Sequence, residues 1–431
     1  MPPPDHADWL GVGEARERIL RTVLPLPAEW RPLEEALGRV LAEPLVSPID
    51  LPLWDNSAMD GFATRADDVR GATPQKPRAL RVVDDIPAGG FPSRTLQPGE
   101  AARIMTGAPL PGGADGVVRV EHTDGGSGIG TPLDSVHIGS DTDAGRNVRV
   151  RGEDVRRGST VLRAGTVLGP AQIGVAASLG GARLPVFRRP VVAVLASGNE
   201  LVPVHAFEEV RRGRRIVSSN SYALAAQLAE SGFEARNLGI AADTPESVRE
   251  HLERAAGCDA LVTSAGVSVG EHDHLRAVLG EMGARIHFWR VRMRPGSAFA
   301  FGEVDALGGI PWFGLPGNPV STLVTFDLLV RPTLLRMAGH TRLFPPTVQA
   351  RVERPCPAKP GTAHFLRARL SEGDQGPTVA LAGSQSSGAL SALAAADALL
   401  VVPEGQGGWE AGETAPVIVL GGAPLRVSPG Y

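Results

Sequence analysis

The sequence predicts a multidomain chain that combines an α/β domain with β modules, and three observations carry that prediction. A length of 431 residues exceeds what one ordinary hydrophobic core serves, so two to four domains are expected, and 42% apolar content can fill several cores. The 53 Gly and 37 Pro imply many tight turns between short strands. From Pro190 onward, apolar strand-like runs alternate with amphipathic helices, the pattern of a parallel sheet with crossover helices.

Taken in order, the first fifty residues read as helical. Ala15, Ile19, Leu20 and Val23 share one face, and Leu33, Ala36, Leu37 and Val40 a second. Between Pro52 and about Arg149, short apolar runs (Leu80 to Val83, Ala102 to Met105, Gly116 to Val120) separated by Gly/Pro turns predict a small β module, with a loose loop at Gly125 to Gly130. Residues 150–185 carry a β-like segment and then a helix from Ala171 to Leu179 that ends at Gly180. Val191 to Leu195 reads as a buried strand, and Tyr222 to Leu228 as a helix behind Ser219-Asn220. Thr244-Pro245 is a cap followed by proline at the first helical position; Val248, Leu252 and Ala255 point inward, and Gly257 ends the helix. A strand at Ala260 to Thr263, a glycine-rich turn and a helix from about Asp273 follow. Asn318 caps a helix that begins at Pro319 and bends near Pro332. After Pro345 the runs Val348 to Val352, Phe365 to Leu370, Leu399 to Val402 and Val417 to Leu420 return to β character.

Composition narrows the function. A net charge of −4 gives no global reason to expect nucleic acid or an anionic membrane as partner. Cys258 and Cys356, the two cysteines, have neither metal-ligand nor disulfide-framework spacing, which suits a reducing compartment. The start of the chain lacks signal-peptide features, and no apolar run approaches the ~20 residues that cross a bilayer, so a cytoplasmic protein is expected. Serine-hydrolase, zinc-protease and P-loop motifs are absent from the sequence, and His272 and His274 lack a third ligand nearby.

Three strand-to-helix turns in the α/β region suit a shared ligand cleft: Ala196-Ser197-Gly198-Asn199-Glu200, Ser264-Ala265-Gly266-Val267-Ser268-Val269-Gly270 and Leu315-Pro316-Gly317-Asn318-Pro319-Val320-Ser321. Ligands of open parallel sheets collect at the carboxyl ends of strands, and glycine turns opening a helix present amide donors to a phosphate. The same turns also serve as plain structural connections, and both readings stand at this point. Asp55, Asp60, Asp154, Asp243 and Asp273 are carboxylates that suit Mg²⁺ if they converge in space, although an Asp at a helix start is more often an N-cap. Arg146, Arg149 and Arg151 form one basic group; Arg290, Arg292 and Arg294 form another, whose alternation would put all three on one face of a strand, facing an oxyanion or solvent.

These motifs resemble those of a known family. Pro52-Leu-Trp-Asp-Asn-Ser-Ala-Met-Asp-Gly-Phe-Ala63 is similar to the signature of the MoeA family, which includes the gephyrin E domain. Ile104 to Asp115, Arg151 to Val155, Gly266 to Gly270 with Asp273, Leu315 to Ser321, Gln385 to Gly388 and Ala398 to Gly405 follow in that family's order, so the resemblance spans nearly the whole chain. It implies four domains: a segmented helical domain at 1–50 and 150–185, an inserted β module at 51–149, a molybdopterin-binding α/β domain at 186–342 and a C-terminal β-barrel at 343–431. It also implies a homodimer whose cleft lies between one subunit's α/β domain and the other's β module. The implied activity is that of a molybdopterin molybdenumtransferase: adenylylated molybdopterin and molybdate are the substrates, Mg²⁺ is the cofactor, the adenylate is hydrolysed to AMP, and molybdenum is left on the dithiolene. The molybdopterin adenylyltransferase is an implied partner.

Carried over by position, the resemblance assigns Asp60, Thr106, Asp154, Glu200, Asp243 and Asp273 to catalysis, with Glu200, Asp243 and Asp273 also holding Mg²⁺. Arg151 falls close to the cleft. Ser264, Gly266, Ser268 and Gly270 fall on the pterin phosphate, and Arg294, Ser297, Pro316, Asn318 and Ser387 on the rest of the substrate and the molybdate end. Three departures matter. Asn199 stands where the family usually has Asp, Ala265 where it usually has Gly, and Arg294-Pro295-Gly296-Ser297 where it usually has Lys-Pro-Gly-Lys. Loss of a charge-assisted contact at Ser297 costs about 1.5–3 kcal/mol. These departures motivate the alternative reading, a diverged gephyrin-like paralogue that scaffolds a peptide with weak or no catalysis.

Overall fold

The computed structural model describes residues 9–125, 134–265, 274–373 and 375–421. They fall into two compact units, one drawn from 1–42, 165–169 and 183–431, the other from 43–164 and 170–182. No described helix is long and apolar enough to cross a membrane.

The first unit opens with α1 (Val12–Thr22), which buries Ala15 and Ile19 as the periodicity predicts. The second apolar set does not continue as a helix. Strand β1 (Ala28–Pro32) and one 3₁₀ turn at Leu33–Glu35 take its place, and Leu37 is exposed. Past the turn, tertiary bridges claim the backbone, Val40 opposite Val167 and Leu41 opposite Val186, and those pairings are invisible to local spacing.

The second unit is built on β2 (Gly61–Thr64), β3 (Arg78–Ile86), β4 (Glu100–Ile104), β5 (Gly116–Arg119) and β6 (Ser135–Ile138), in the sheet order β5-β2-β4-β3-β6. Alternation along the strands fills a core on each face. Phe62, Ala101 and Val118 enter one; Ala63, Ala102 and Val117 enter the other. Helix α2 (Pro170–Ser178) also belongs to this unit.

The first unit resumes with β7 (Arg183–Phe187), antiparallel to β1. Its main sheet comprises β8 (Val191–Ser197), β9 (Glu234–Ala241), β10 (Ala260–Ser264), β11 (Ala284–Trp289), β12 (Ala300–Val304) and β13 (Ile310–Leu315), in the order β9-β8-β10-β13-β12-β11. The first four are parallel, as expected of strands joined by crossover helices; β12 is antiparallel to both its neighbours. Both faces are covered. Val192 and Val194 enter one core, Ala193 and Leu195 the other. Crossover helices α3 (Ser219–Glu230) and α4 (Pro245–Glu253) follow β8 and β9, with Thr244 accepting the Ser247 N–H as the predicted cap. Helix α5 (His274–Glu281) follows β10.

After β13 come α6 (Pro319–Thr325), a π-helical stretch at Phe326–Val330 and α7 (Arg331–Met337). The interruption expected at Pro332 therefore falls just before it, where the π turn lets the proline occupy the first turn of α7 without losing a hydrogen bond. The chain ends in β14 (Thr347–Val352), β15 (Ala363–Gly373), β16 (Gly376–Leu381), β17 (Ala398–Val402) and β18 (Thr414–Val419). Pairing runs β15-β16-β14-β18-β17 and back to β15, a closed five-stranded barrel around Val352, Val379, Leu400 and Val417.

The arginine trio at 290–294 does not share a strand face. Arg290 sits at φ +82 and ends β11, with its guanidinium 4.9 Å over the Trp9 ring. Arg292 binds the Glu404 carboxylate and the Trp9 carbonyl, and Arg294 lies on a two-residue strand parallel to β15. The left-handed residue breaks the alternation that the spacing suggested.

Candidate functional site

Strand order dictates where a ligand can enter the α/β sheet. The connection from β8 leads outward to β9, whereas β10 lies on the other side of β8, so β8 and β10 flank a topological switch point. Register brings the strand ends level: Ser197 opposite Ala241, Ala196 opposite Ser264, and Ser264 opposite Leu315. The segments 198–200, 242–243, 265 and 316–318 thus leave one sheet edge together, which gathers Glu200, Asp243, Ser264, Pro316 and Asn318.

Hydrogen bonds tie these turns to one another. The Asn220 side chain, in the first turn of α3, donates to Ser264 Oγ (2.8 Å) and to the Gly317 carbonyl (2.8 Å). Asn220 is a site residue that motif reading passed over. Its signal, a polar residue at the start of a helix after a switch-point strand, was read only as a helix boundary. Ser264 is buried and the Ala265 N–H donates to the Leu315 carbonyl (3.1 Å), closing β10 onto β13. Ala265 adopts φ +76, the left-handed region where its methyl is strained. Asn318 occupies the N-cap position of α6, but its side chain makes no cap. It donates instead to Ser387 Oγ (3.0 Å), while the Val320 N–H donates to the Ser387 carbonyl (3.1 Å). The Pro316 carbonyl accepts from Thr322 Oγ1 (2.6 Å).

Ser387 owes its position to a second residue missed in the sequence. Arg367, fully buried on β15, donates to the carbonyls of Ser384 (2.7 Å) and Ser386 (3.3 Å), and Gln385 bonds the Arg367 backbone on both sides. Burial lowers the Arg367 pKa from its ordinary value. An arginine beside Phe365 and Leu366 within the Phe365 to Leu370 run was the available signal.

The acidic set is partly described. Asn199 and Asp243 bind through backbone and side chain at 3.1 and 3.2 Å. A Cβ on Gly198, whose φ is +149, would lie 2.6 Å from the Glu200 carboxylate, so the Glu200 side chain folds back over a position that only glycine leaves open. Glu200 and Asp243 are exposed and join no ion pair among the described residues. Two carboxylates without ion-pair partners at one edge are the donor set Mg²⁺ accepts when a substrate phosphate and water complete its shell. Among the described residues no three His, Cys, Asp or Glu side chains converge. Gly266, Ser268, Gly270 and Asp273 lie outside the described residues. Arg294 is exposed, and the Ser297 carbonyl accepts the Val291 N–H (3.0 Å).

The β-sheet unit carries its own polar pair. Asp60 Oδ1 accepts the Thr106 N–H (2.7 Å) and Thr106 Oγ1–H (2.8 Å). Those two donors, the backbone one first, hold the Asp60 carboxyl below the usual carboxylate range. Arg151 is anchored by Asp50 through Nε (2.7 Å) and by Asp55 through its N–H (2.7 Å), while Asp154 nearby is exposed. The Asp50 carboxyl is likewise lowered, first by the Arg157 N–H and then by Arg151.

Comparison with known proteins matches three successive stretches of the chain. Residues 10–180 match the model of the MoeA N-terminal region (domain I and II), 193–336 a probable molybdopterin binding domain, and 349–420 the MoeA C-terminal region (domain IV). Molybdopterin molybdenumtransferase 2 of Mycobacterium tuberculosis is 41% identical over 379 residues, covering 86% of this chain and 90% of that protein. The molybdopterin molybdenumtransferase of Staphylococcus aureus is 35% identical over 413 residues, with 95% of each chain covered. The crystal structure of the molybdopterin biosynthesis moeA protein from Pyrococcus horikoshii superposes with a TM-score of 0.81 at 28% identity, covering 95% of this chain and 100% of that one.

Proposed function

The chain belongs to the MoeA family of molybdopterin molybdenumtransferases, enzymes of molybdenum cofactor biosynthesis, and from that premise we propose that it takes adenylylated molybdopterin and molybdate, hydrolyses the adenylate to AMP, and leaves molybdenum on the dithiolene. The observation that carries this reading is the convergence of Glu200, Asp243, Ser264 and the Asn318–Ser387 pair on one edge of the parallel sheet. Ser264 and the turn after it receive the pterin phosphate. Glu200 and Asp243 would hold Mg²⁺ near the adenylate, with Asp273 as a third carboxylate. Bound Mg²⁺ supplies charge neutralisation at the phosphoanhydride. Asn318 and Ser387 orient the oxyanion through a hydroxyl and an amide, with Pro316 shaping the turn beneath them and Arg294 and Ser297 beside the site. Asp60, fixed in orientation by its two hydrogen bonds from Thr106, acts as an acceptor for the attacking water or a substrate donor, with Arg151 and Asp154 contributed by the same unit. In a homodimer, Asp60 of one subunit faces the sheet edge of the other. We place this activity in the cytoplasm, with the molybdopterin adenylyltransferase as the supplier of substrate.

The test is AMP release from adenylylated molybdopterin, with and without molybdate and Mg²⁺. Molybdate-dependent release that Asp243→Ala abolishes supports the reading. A protein that binds the adenylate but releases no AMP under these conditions overturns it.

A further inference from the structure

Between the switch-point turn and helix α3 the chain inserts a segment that the reading above leaves without a role. A two-residue parallel ladder pins its ends, Leu201 opposite Ile216 and Val202 opposite Val217. The Ile216 N–H donates to the Glu200 carbonyl (2.8 Å), and the Ser218 N–H to the Val202 carbonyl (2.9 Å). Residues 203–215 are thus held directly beside Glu200 at one end and Asn220 at the other, both of them residues of the sheet edge. Within the loop are the short helix Phe207–Arg211 and then Arg211, Arg212, Arg214 and Arg215, four arginines in five positions, all exposed. Gly213 stands between the two pairs at φ +73 and turns the chain there. Glu208 meets Arg211 (3.2 Å) and Glu209 lies 3.9 Å from Arg215, so two of the cations have carboxylate partners. Arg212 and Arg214 have none among the described residues.

The same segment leaves apolar surface open beside this charge. Val204, Phe207 and Ile216 are each more than 50% exposed. Tyr222 on α3 is 45% exposed, and its hydroxyl accepts the Val204 N–H (3.0 Å), which fixes its ring to the loop. A chain of net charge −4 has concentrated unneutralised arginine and open aromatic rings next to a phosphate-binding edge. Guanidinium groups bind phosphate oxygens in a fixed fork, and aromatic faces accept a nucleobase.

We propose that the 203–217 segment is a specificity clamp for the nucleotide end of the substrate: Arg212 and Arg214 engage the phosphate next to the adenosine, and Phe207 and Tyr222 offer the apolar surface against which the base rests. This rests on the assignment of an adenylylated substrate to the same edge, and the experiment separates the two. Arg212→Ala/Arg214→Ala and Tyr222→Ala are compared with wild type and with Arg354→Ala, an exposed arginine just after β14, by calorimetric binding of AMP and of inorganic pyrophosphate at two salt concentrations, and by the KM and kcat of AMP release.

The expected result is at least a tenfold loss of AMP affinity in the double arginine variant, with a weaker salt dependence, and a KM that rises while kcat stays within about twofold. Tyr222→Ala should weaken AMP but leave pyrophosphate unchanged. Arginine-dependent AMP binding by a wild-type protein that shows no AMP release would sustain the clamp and sink the transferase reading. Normal AMP affinity and KM in both variants would overturn the clamp and leave the transferase reading intact. So would loss of activity only when a purified adenylyltransferase delivers the substrate, because that would make the arginines a protein-docking surface.

Discussion

Asn199 and Asp243 hold each other across the switch point: the Asn199 N–H donates to Asp243 Oδ2 at 3.1 Å, and the Asp243 N–H donates to Asn199 Oδ1 at 3.2 Å. An aspartate at 199 could accept the same Asp243 N–H, so what asparagine lacks beside it is charge and not geometry. Restoring it by Asn199→Asp puts a second carboxylate beside Asp243. A unit charge about 5 Å from a divalent cation is worth roughly 1.7 kcal/mol in water, and salt screens part of that. The Mg²⁺ concentration that half-saturates AMP release should therefore fall by about three- to tenfold. A Mg²⁺ titration of wild type and variant checks it, and an unchanged midpoint would place Asp243 away from the cation.

The second departure has a backbone consequence. Ala265 lies at φ +76, where an L side chain costs about 1–2 kcal/mol, and a glycine there gives back about 0.5–1 kcal/mol through the unfolded chain. Ala265→Gly should stabilise the protein by about 0.5–1 kcal/mol, read as a rise in the urea midpoint at constant slope. A lower midpoint would mean that the methyl packs usefully, for instance toward Gly317, whose added Cβ would sit 3.6 Å from it.

How much of this was legible beforehand follows from the range of the forces involved. The strand and helix alternation after Pro190, the Thr244 cap and four of the five barrel strands are local patterns of burial and turn chemistry, and they were read in place; the strand at Gly376–Leu381 was not. The segment after Leu33 was misread as helix because its spacing fits one, and only the remote pairings of Val40 with Val167 and of Leu41 with Val186 reveal otherwise. Asn318 was read as a cap by residue type, but Ser387, nearly seventy residues later, competes for its amide. Asn220 and Arg367 act through partners far along the chain, so no motif window contained them together.

Thr106 supplies both donors that lower the Asp60 carboxyl, and its hydroxyl can be removed without its backbone N–H. A carboxyl whose folded pKa is depressed adds stability that is present above its unfolded value near 3.9 and lost as pH falls through the folded value. Thr106→Ala should move the Asp60 titration upward toward the ordinary range and shift that loss to higher pH. The stability cost at neutral pH should stay below about 1 kcal/mol, because solvent screens this exposed pair. Carboxyl-carbon NMR titration of Asp60 in the two proteins measures the shift, and coincident curves would contradict the assignment.

Asp327 behaves in the opposite sense. It lies in the π-helical stretch, and burial pushes its carboxyl up to about 6 even though the Arg331 guanidinium lies 3.0 Å away and opposes the shift; Glu230, held by the same Arg331 at 3.1 Å, adds to the rise. The folded protein then keeps a proton that the unfolded chain has released from about pH 4 upward. Its contribution to stability is greatest below pH 4, falls as pH rises to about 6, and then levels. A shift of about two units corresponds to roughly 3 kcal/mol at most. Asp327→Asn cannot titrate, and its amide keeps an acceptor toward Arg331 while Glu230 retains the ion pair. Urea unfolding at pH 4, 5, 6 and 7 should therefore show wild type losing stability across this interval relative to the variant, with parallel behaviour above pH 6. Equal pH dependence in the two proteins would mean that Asp327 stays ionised throughout, with Arg331 outweighing burial.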